Sequence, residues 1–150
     1  MADLAPYNKP LPAISQASRA FWEASINGRL ALPHCLRCGH VWFPPSMRCP
    51  QCLSSDIDAQ QASGRGRLWS WINMHRRYFK EFEPPYVVAF VELAEGPMLM
   101  STIVGARPDE LACDLPLEVV FEPATMEMSI PKFRPVVGAA AADSEDRKGR

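Results

Sequence analysis

The sequence CLRCGHVWFPPSMRCPQC, residues 35–52, contains two CxxC pairs with ten residues between them. In a CxxC turn two sulfurs reach the same ion, about 2.3 Å away, and a second turn completes a tetrahedral shell. Cys35, Cys38, Cys49 and Cys52 therefore predict a four-thiolate cage for Zn²⁺. Because four protein ligands leave no position open for a substrate, this pattern indicates a structural site and not a catalytic one.

Paired cysteines also occur in disulfides, redox centres and iron sites. Two disulfides would suit a secreted chain, but residues 1–12 show no basic segment followed by an apolar one, so we expect no signal peptide and a cytoplasmic protein. A redox CxxC would be a single motif near a βαβ pattern. A four-thiolate iron site has the same ligands and stays open as the alternative to zinc. The fifth cysteine, Cys113, has apolar surroundings that predict a small buried side chain.

Length and composition restrict the number of domains, the kind of secondary structure and the partners that we expect. With 150 residues and 47% hydrophobic content, the chain is long enough for one modest domain plus a metal-stabilised attachment. Fifteen prolines against eight glycines favour short strands and loops over long helices. No apolar run is long enough to span a membrane, so we expect no membrane segment. With a formal net charge of −1, the molecule as a whole offers no electrostatic footprint for nucleic acid, and we expect no nucleic-acid partner.

The segment ahead of the cysteines is the one convincing helical stretch. Apolar positions recur at three-to-four spacing over residues 15–32; Ser15 or Ser18 is the expected cap, and Gly28 the expected stop. A short strand over residues 29–34 then leads into the first cysteine pair. The aromatic pair Phe21 and Trp22 is expected to pack in the core or to dock on another protein.

A second aromatic pair, Trp42 and Phe43, lies between the two cysteine turns. The prolines that follow, Pro44 and Pro45, cannot continue a central strand, so we expect an edge or loop there. The two aromatic side chains then either cover the metal or face outward. His40 is predicted to lie beside the metal or on the surface, since four cysteines already complete the shell.

From residue 63 the pattern changes to that of a small barrel. After the predicted hinge at residues 64–67, five strand-like runs follow, which is the strand count of an OB fold. Glu95-Gly96-Pro97 predicts a hairpin turn, and residues 107–111 predict a single helical turn. The runs cover residues 68–75, 86–93, 98–104, 117–121 and 126–133. The predicted domains are an N-terminal arm and helix (1–32), a zinc ribbon (33–62), an OB barrel (63–136) and a disordered tail (137–150).

The order of these motifs resembles the acyl-CoA-associated zinc-ribbon and OB-fold proteins, formerly a domain of unknown function. The resemblance covers about residues 21–135. One departure occurs before the fourth predicted barrel strand, where Cys113-Asp114-Leu115-Pro116 replaces the usual glycine. The motifs are Phe21-Trp22 with Gly28 and Leu30, Cys35-x-x-Cys38-Gly39, Phe43-Pro44-Pro45, Cys49-Pro50-x-Cys52, Ser63-Gly64-Arg65-Gly66, Pro85-Tyr86-Val87-Val88-Ala89, Val91-Glu92-Leu93 with Gly96, and Phe133-Arg134-Pro135.

The resemblance implies an accessory subunit without catalytic residues of its own. Such proteins are partners of thiolase-fold enzymes, including thiolases and retro-aldolases, and of MaoC-type enoyl-CoA hydratases, and they form hetero-oligomers with them. The helix and ribbon would dock on the partner, and the barrel would lie near the acyl-CoA. The three histidines, His34, His40 and His75, form no recognisable catalytic pattern. The candidate interface residues are Phe21, Trp22, Trp42, Phe43, Pro44 and Pro45.

Five cations lie close together in sequence at the start of the predicted barrel. Arginine forks suit phosphate, so this strip is a candidate site for the phosphates of coenzyme A. With Trp69, Trp71, Tyr78 and Phe79 interleaved, it also fits single-stranded nucleic acid, and an ordinary solvated rim is a further alternative. The cations are Arg65, Arg67, Arg76, Arg77 and Lys80.

For the protein as a whole, the remaining alternative is a free-standing enzyme that uses Cys113 or a histidine.

Overall fold

Strands dominate the computed structural model, which describes residues 6–138, and the predicted mainly β architecture is confirmed. One helix, α1 (Arg19–Ile26), precedes a two-stranded sheet and a five-stranded sheet. No helix within these residues is long and apolar enough to cross a membrane. The strands are β1 (Ala31–Cys35), β2 (Ile57–Gln61), β3 (Arg65–Met74), β4 (Tyr86–Leu93), β5 (Met98–Ser101), β6 (Pro116–Pro123) and β7 (Ser129–Pro135).

Helix α1 is shorter than the stretch predicted over residues 15–32. Gly28 ends it as expected: its φ is +65°, its N–H donates to the Ser25 carbonyl, and the Arg29 N–H donates to the Ala24 carbonyl, both at 3.0 Å. This pair of bonds is a Schellman motif, which satisfies the last helical carbonyls. Ser18 occupies the N-cap position, but its hydroxyl accepts from the Ser15 N–H and makes no cap bond. The chain beyond Gly28 is extended and not helical.

The two-stranded sheet forms the base of the ribbon. β1 and β2 are antiparallel, from Ala31 opposite Gln61 to Cys35 opposite Ile57, and both cysteine turns lie between them in sequence. Four of the five β2 residues are exposed. β2 is not among the predicted strands, because its short, polar stretch has no buried face to produce an apolar pattern.

The five-stranded sheet has the order β5-β4-β3-β6-β7 and curls until its edges meet. A parallel bridge between Ile103 and Phe133 joins the two edges. All five predicted barrel strands are present, and β4 has the predicted bounds. Alternate residues of β4 point inward and are buried, as expected for a strand with one face on a core. Leu68, Val91 and Leu117 are fully buried there.

The predicted hinge at residues 64–67 is instead mostly part of β3. Gly66 pairs with Leu93 of β4 and with Leu117 of β6. A Cβ added at Gly66 would lie 2.6 Å from the Glu92 carbonyl oxygen. The glycine therefore permits a close approach of two backbones and does not provide flexibility. The turn expected at Glu95-Gly96-Pro97 is present, and so is the helical turn, at Pro108–Glu110.

Cys113 is exposed, so the prediction of a buried side chain was wrong. Its neighbours Leu111 and Leu115 occupy the inward positions, and the turn between them projects outward. Within this turn Asp114 has a φ of +64°, a conformation that glycine adopts without strain. The departure from the family pattern therefore lies in a left-handed turn. The tail predicted over residues 137–150 lies, from residue 139 on, outside the described residues.

Two hydrogen bonds join the N-terminal part to the barrel. The buried Ser25 hydroxyl donates to the Trp22 carbonyl at 2.6 Å and accepts from the Ser129 N–H at 3.0 Å, which connects α1 to β7. Glu95 accepts from the Ser63 N–H at 2.6 Å, where the ribbon passes into the barrel. The helix, the ribbon and the barrel are thus packed on one another, and Phe21 and Leu32 share a core with the barrel residues.

Candidate metal centre and neighbouring surfaces

The four predicted ligand cysteines converge. All their Sγ atoms lie within 4.8 Å of one another; Cys35 and Cys52 are 3.5 Å apart, and Cys38 and Cys49 are 3.6 Å apart. Four sulfurs placed tetrahedrally at 2.3 Å from one ion would be about 3.8 Å apart. A disulfide would require about 2.05 Å. The donor set and its spacing therefore fit a single tetrahedral thiophilic ion such as Zn²⁺.

Backbone hydrogen bonds shape the two turns in the same way. In the first turn, the Cys35 carbonyl accepts from the Gly39 N–H at 2.8 Å; in the second, the Cys49 carbonyl accepts from the Leu53 N–H at 2.9 Å. Gly39 and Leu53 each follow the second cysteine of a pair and have φ values of +75° and +60°. The two turns are thus related by local pseudo-symmetry. Sequence reasoning missed Leu53, because a leucine gives no signal for positive φ.

The electrostatics of the thiols depend on their proximity. A hydrogen bond from the Cys38 backbone amide is the main cause that lowers the pKa of Cys35 to about 7. The His40 backbone amide acts to lower the pKa of Cys38, but burial and the neighbouring sulfurs outweigh it and raise that pKa to about 12. Four thiolates at this spacing repel one another, so their full ionisation requires a bound cation.

Trp42 covers the cage and does not face outward. Its side chain is 6% exposed, packs against Cys35 and Cys49, and donates through Nε1 to the Ser46 hydroxyl at 3.0 Å. The His40 ring stacks on it with 5.9 Å between ring centroids. As placed in this chain, Trp42 is not available to a partner, and His40 is not part of the four-sulfur cluster. Trp42 excludes water from one side of the cage.

The remaining predicted interface residues include both buried and partly exposed side chains. Phe21 is 4% exposed and is therefore a core residue; its ring centroid lies 4.9 Å from Trp22 and 5.3 Å from Phe43. Trp22 and Phe43 are half-buried, and both line a groove described below. Pro44 is exposed in a loop, as expected, and Pro45 is half-buried. Some of the predicted interface residues on the helix and ribbon are therefore at least partly exposed, and the others are core residues.

The groove, about 620 Å³ in volume, lies where the N-terminal arm, α1, the ribbon and the barrel meet. We call it the arm groove. Tyr7 and Lys9 come from the arm, Trp22 and Phe43 from the helix and ribbon. The barrel wall is formed by β4, β5 and β7 with adjoining residues. Because its lining comes from distant segments, no local sequence pattern indicated it.

An apolar surface lies on the outer face of β3, β4 and β5. Ile72 is paired with Val88, and Phe90 is paired with Met100. Ile72, Phe90 and Met100 are 56%, 45% and 64% exposed. We call these four residues the outer patch. Met100 and Val88 also line the arm groove, so the two features are continuous.

The five predicted phosphate-binding cations do not form one site. Arg65 and Arg67 lie at the start of β3, whereas Arg76, Arg77 and Lys80 follow its end. The seven residue steps from Arg67 to Met74 span roughly 23 Å along the strand. Arg67 is paired with Glu92 and, at 2.7 Å, with Asp114, while Arg77 is paired with Glu83. The five cations fall into two groups because an extended strand places residues that are close in sequence far apart in space.

A four-cysteine ribbon joined to a five-stranded OB-like barrel defines the structural class. Two family models match the chain: "ChsH2, rubredoxin-like zinc ribbon domain" over residues 22–58 and "ChsH2, C-terminal OB-fold domain" over residues 59–122. The chain belongs to this ChsH2 or DUF35 family of zinc-ribbon and OB-fold proteins, and the resemblance seen in the sequence is confirmed.

Individual relatives are subunits of several enzymes. The chain is 38% identical over 86% of its length to a "Probable enoyl-CoA hydratase alpha subunit" of Thermomonospora curvata, but it spans only 40% of that protein. It is 27% identical, over 79% of its length and 85% of the relative, to "Benzoylsuccinyl-CoA thiolase subunit BbsA" of Thauera aromatica. A solved chain of the "Ltp2-ChsH2(DUF35) aldolase" is 38% identical, with a TM-score of 0.76 over 83% of this chain and 98% of that one.

Proposed function

We propose that this protein is a non-catalytic accessory subunit that binds and completes a thiolase-fold acyl-CoA enzyme in the cytoplasm. The observation that carries the proposal is the match, in sequence and fold, to nearly the whole of a chain from the Ltp2-ChsH2(DUF35) aldolase. The similarity to a thiolase subunit supports the same class of partner. In this proposal the chemistry belongs to the partner, and the chain contributes a docking surface.

The outer patch supports a protein partner. Its four apolar side chains are adjacent in register on one sheet face, and a contiguous exposed apolar surface is typical of an interaction site. Docking would remove Ile72, Phe90 and Met100 from water. We place the primary interface at this patch, with Trp22 and Phe43 of the adjoining arm groove at its border, in place of the buried Phe21 and Trp42.

We further propose that Zn²⁺ occupies the four cysteines and acts as a structural ion. Its ligands Cys35 and Cys49 are fully buried, and the ribbon holds Phe43 against the main core. Zinc would thereby position the groove wall that Phe43 forms. The predicted domain limits at residues 32, 62 and 136 are part of the same proposal.

Of the predicted phosphate-binding cations, Arg76, Arg77 and Lys80 share one connection and remain our candidates for coenzyme A. In the assembled complex, replacing Arg76 and Arg77 together by Ala is expected to weaken acyl-CoA binding while assembly persists. Arg65→Ala, at the other end of β3, is the matched control. Equal affinities in the double variant and the control would contradict the phosphate role.

The experiment that tests the accessory role is a tagged purification at low salt after nuclease treatment, with co-purifying chains identified by mass. We expect a thiolase-fold subunit in fixed ratio. Met100→Glu should reduce its recovery, whereas Met126→Glu, which changes a methionine that is 82% exposed in the β6–β7 connection, should not. Equal recovery with both variants would refute docking at the outer patch, and recovery of the chain alone would refute the accessory role.

A hydratase partner is the second candidate. It is supported by the 38% identity to the probable enoyl-CoA hydratase alpha subunit over most of this chain. The same purification distinguishes the two candidates, because the masses of the recovered chains identify either a thiolase-fold or a hydratase subunit.

A further inference from the structure

The arm groove has the size and lining of a small-molecule site. Its volume of about 620 Å³ lies within the range of roughly 300–1,000 Å³ common for ligand pockets. Aromatic rings line both sides, with Trp22 and Phe43 facing the barrel wall that carries Tyr86 and Val88. Such walls favour a ligand whose main part is apolar, with flat or branched surfaces, over a polar ligand.

Two lysines give the lining of this apolar groove a positive charge. Lys132 of β7 is 17% exposed and is paired with Glu122. Lys9 of the arm has its Nζ 5.6 Å from the ring centroid of Phe82, and both lysines line the groove. Two ammonium groups against one carboxylate leave an excess of one positive charge. Burial, and then the charge of the nearby Lys9, lowers the pKa of Lys132.

The charge of the groove selects among apolar ligands. An uncharged ligand would leave the excess charge at Lys9 and Lys132 without a partner, and a cationic one would be repelled. An anionic group would accept charge-assisted hydrogen bonds from the lysines of the lining and offset their positive charge. We propose that the arm groove binds an amphipathic carboxylate, with its apolar body between the ring-lined walls and its carboxylate at Lys9 and Lys132. Every contact comes from this chain, and because Val88 and Met100 also belong to the outer patch, the site is tested on the chain free of its partner.

The test is a titration of the purified, isotope-labelled full chain with octanoate, followed by amide NMR shifts. We expect saturable binding at one site, with shifts at groove residues such as Val88 and Thr102 and none at Leu36 in the ribbon. Uncharged 1-octanol should bind about tenfold more weakly, as expected for the loss of a charge-assisted contact.

Variants assign the effect to the groove. Lys9→Gln should weaken octanoate binding about fivefold, whereas Arg29→Gln, which removes a positive charge from an exposed site outside the groove, should leave it unchanged. The proposal is overturned by equal affinities for octanoate and octanol, by equal effects of the Lys9 and Arg29 variants, or by shifts that do not saturate.

Discussion

Replacing Cys49 by Ser tests whether the four-sulfur cluster is a metal site that supports the fold. Structural zinc contributes about 10–16 kcal/mol in small zinc-binding peptides, which is about 3 kcal/mol for each of four ligands. Cys49 is fully buried beneath Trp42, so the hydroxyl that replaces the thiolate gains no contact with water. At about 2–4 °C per kcal/mol for a chain of this size, the melting temperature should fall by about 6–12 °C.

The destabilisation should extend beyond the ribbon, because Leu30 and Leu32 at the base of the ribbon share a core with the barrel. The assay is thermal unfolding together with metal content by plasma mass spectrometry. Cys113→Ser is the matched control, since this exposed cysteine lies outside the cluster; it should keep one zinc per chain and the parent melting temperature. If Cys49→Ser retains full zinc and melts with the control, the cluster does not bind a structural metal.

Three further predictions concern packing and are checked by chemical denaturation. Gly66→Ala should destabilise the protein by about 1–3 kcal/mol, because its Cβ would lie 2.6 Å from the Glu92 carbonyl oxygen; a gain in stability would refute the close approach. Ser25→Ala should cost about 1–2 kcal/mol, since the buried Ser129 N–H loses its acceptor, and an unchanged midpoint would exclude this link. Leu117→Ala should cost about 2–5 kcal/mol through a cavity, in contrast to Ala at the exposed Leu36, where less than about 0.5 kcal/mol is expected.

Local signals accounted for the elements that were predicted well. β4 has its predicted bounds because β-branched, aromatic and other apolar residues fill all but one of its eight positions and turn residues flank it. Gly28 ends the helix as expected because it takes a positive φ. Where the local signal was weak, the prediction failed: β2 is polar and was missed, and Cys113 lies in an outward turn between two buried leucines.

The predictions made from charged and aromatic residues were less accurate, because the surroundings of such residues depend on parts of the chain that are distant in sequence. The five cations are close in sequence, but an extended β3 separates them and three carboxylates pair two of them. Phe21 and Trp42 belong to predicted interface pairs, yet each is enclosed by the core next to it. Their partners in these pairs, Trp22 and Phe43, remain partly exposed.

The sequence by itself determined the four-cysteine cluster, the order of ribbon and barrel, and the family. Each of these depends on residue types at fixed spacing, which a linear chain displays directly. Only the tertiary structure decided which aromatic residues are available, where the outer patch lies, and that Lys9 and Lys132 meet in one groove. Such features require segments that are distant in sequence to pack together, and the barrel curvature that brings them together depends on long-range strand pairing.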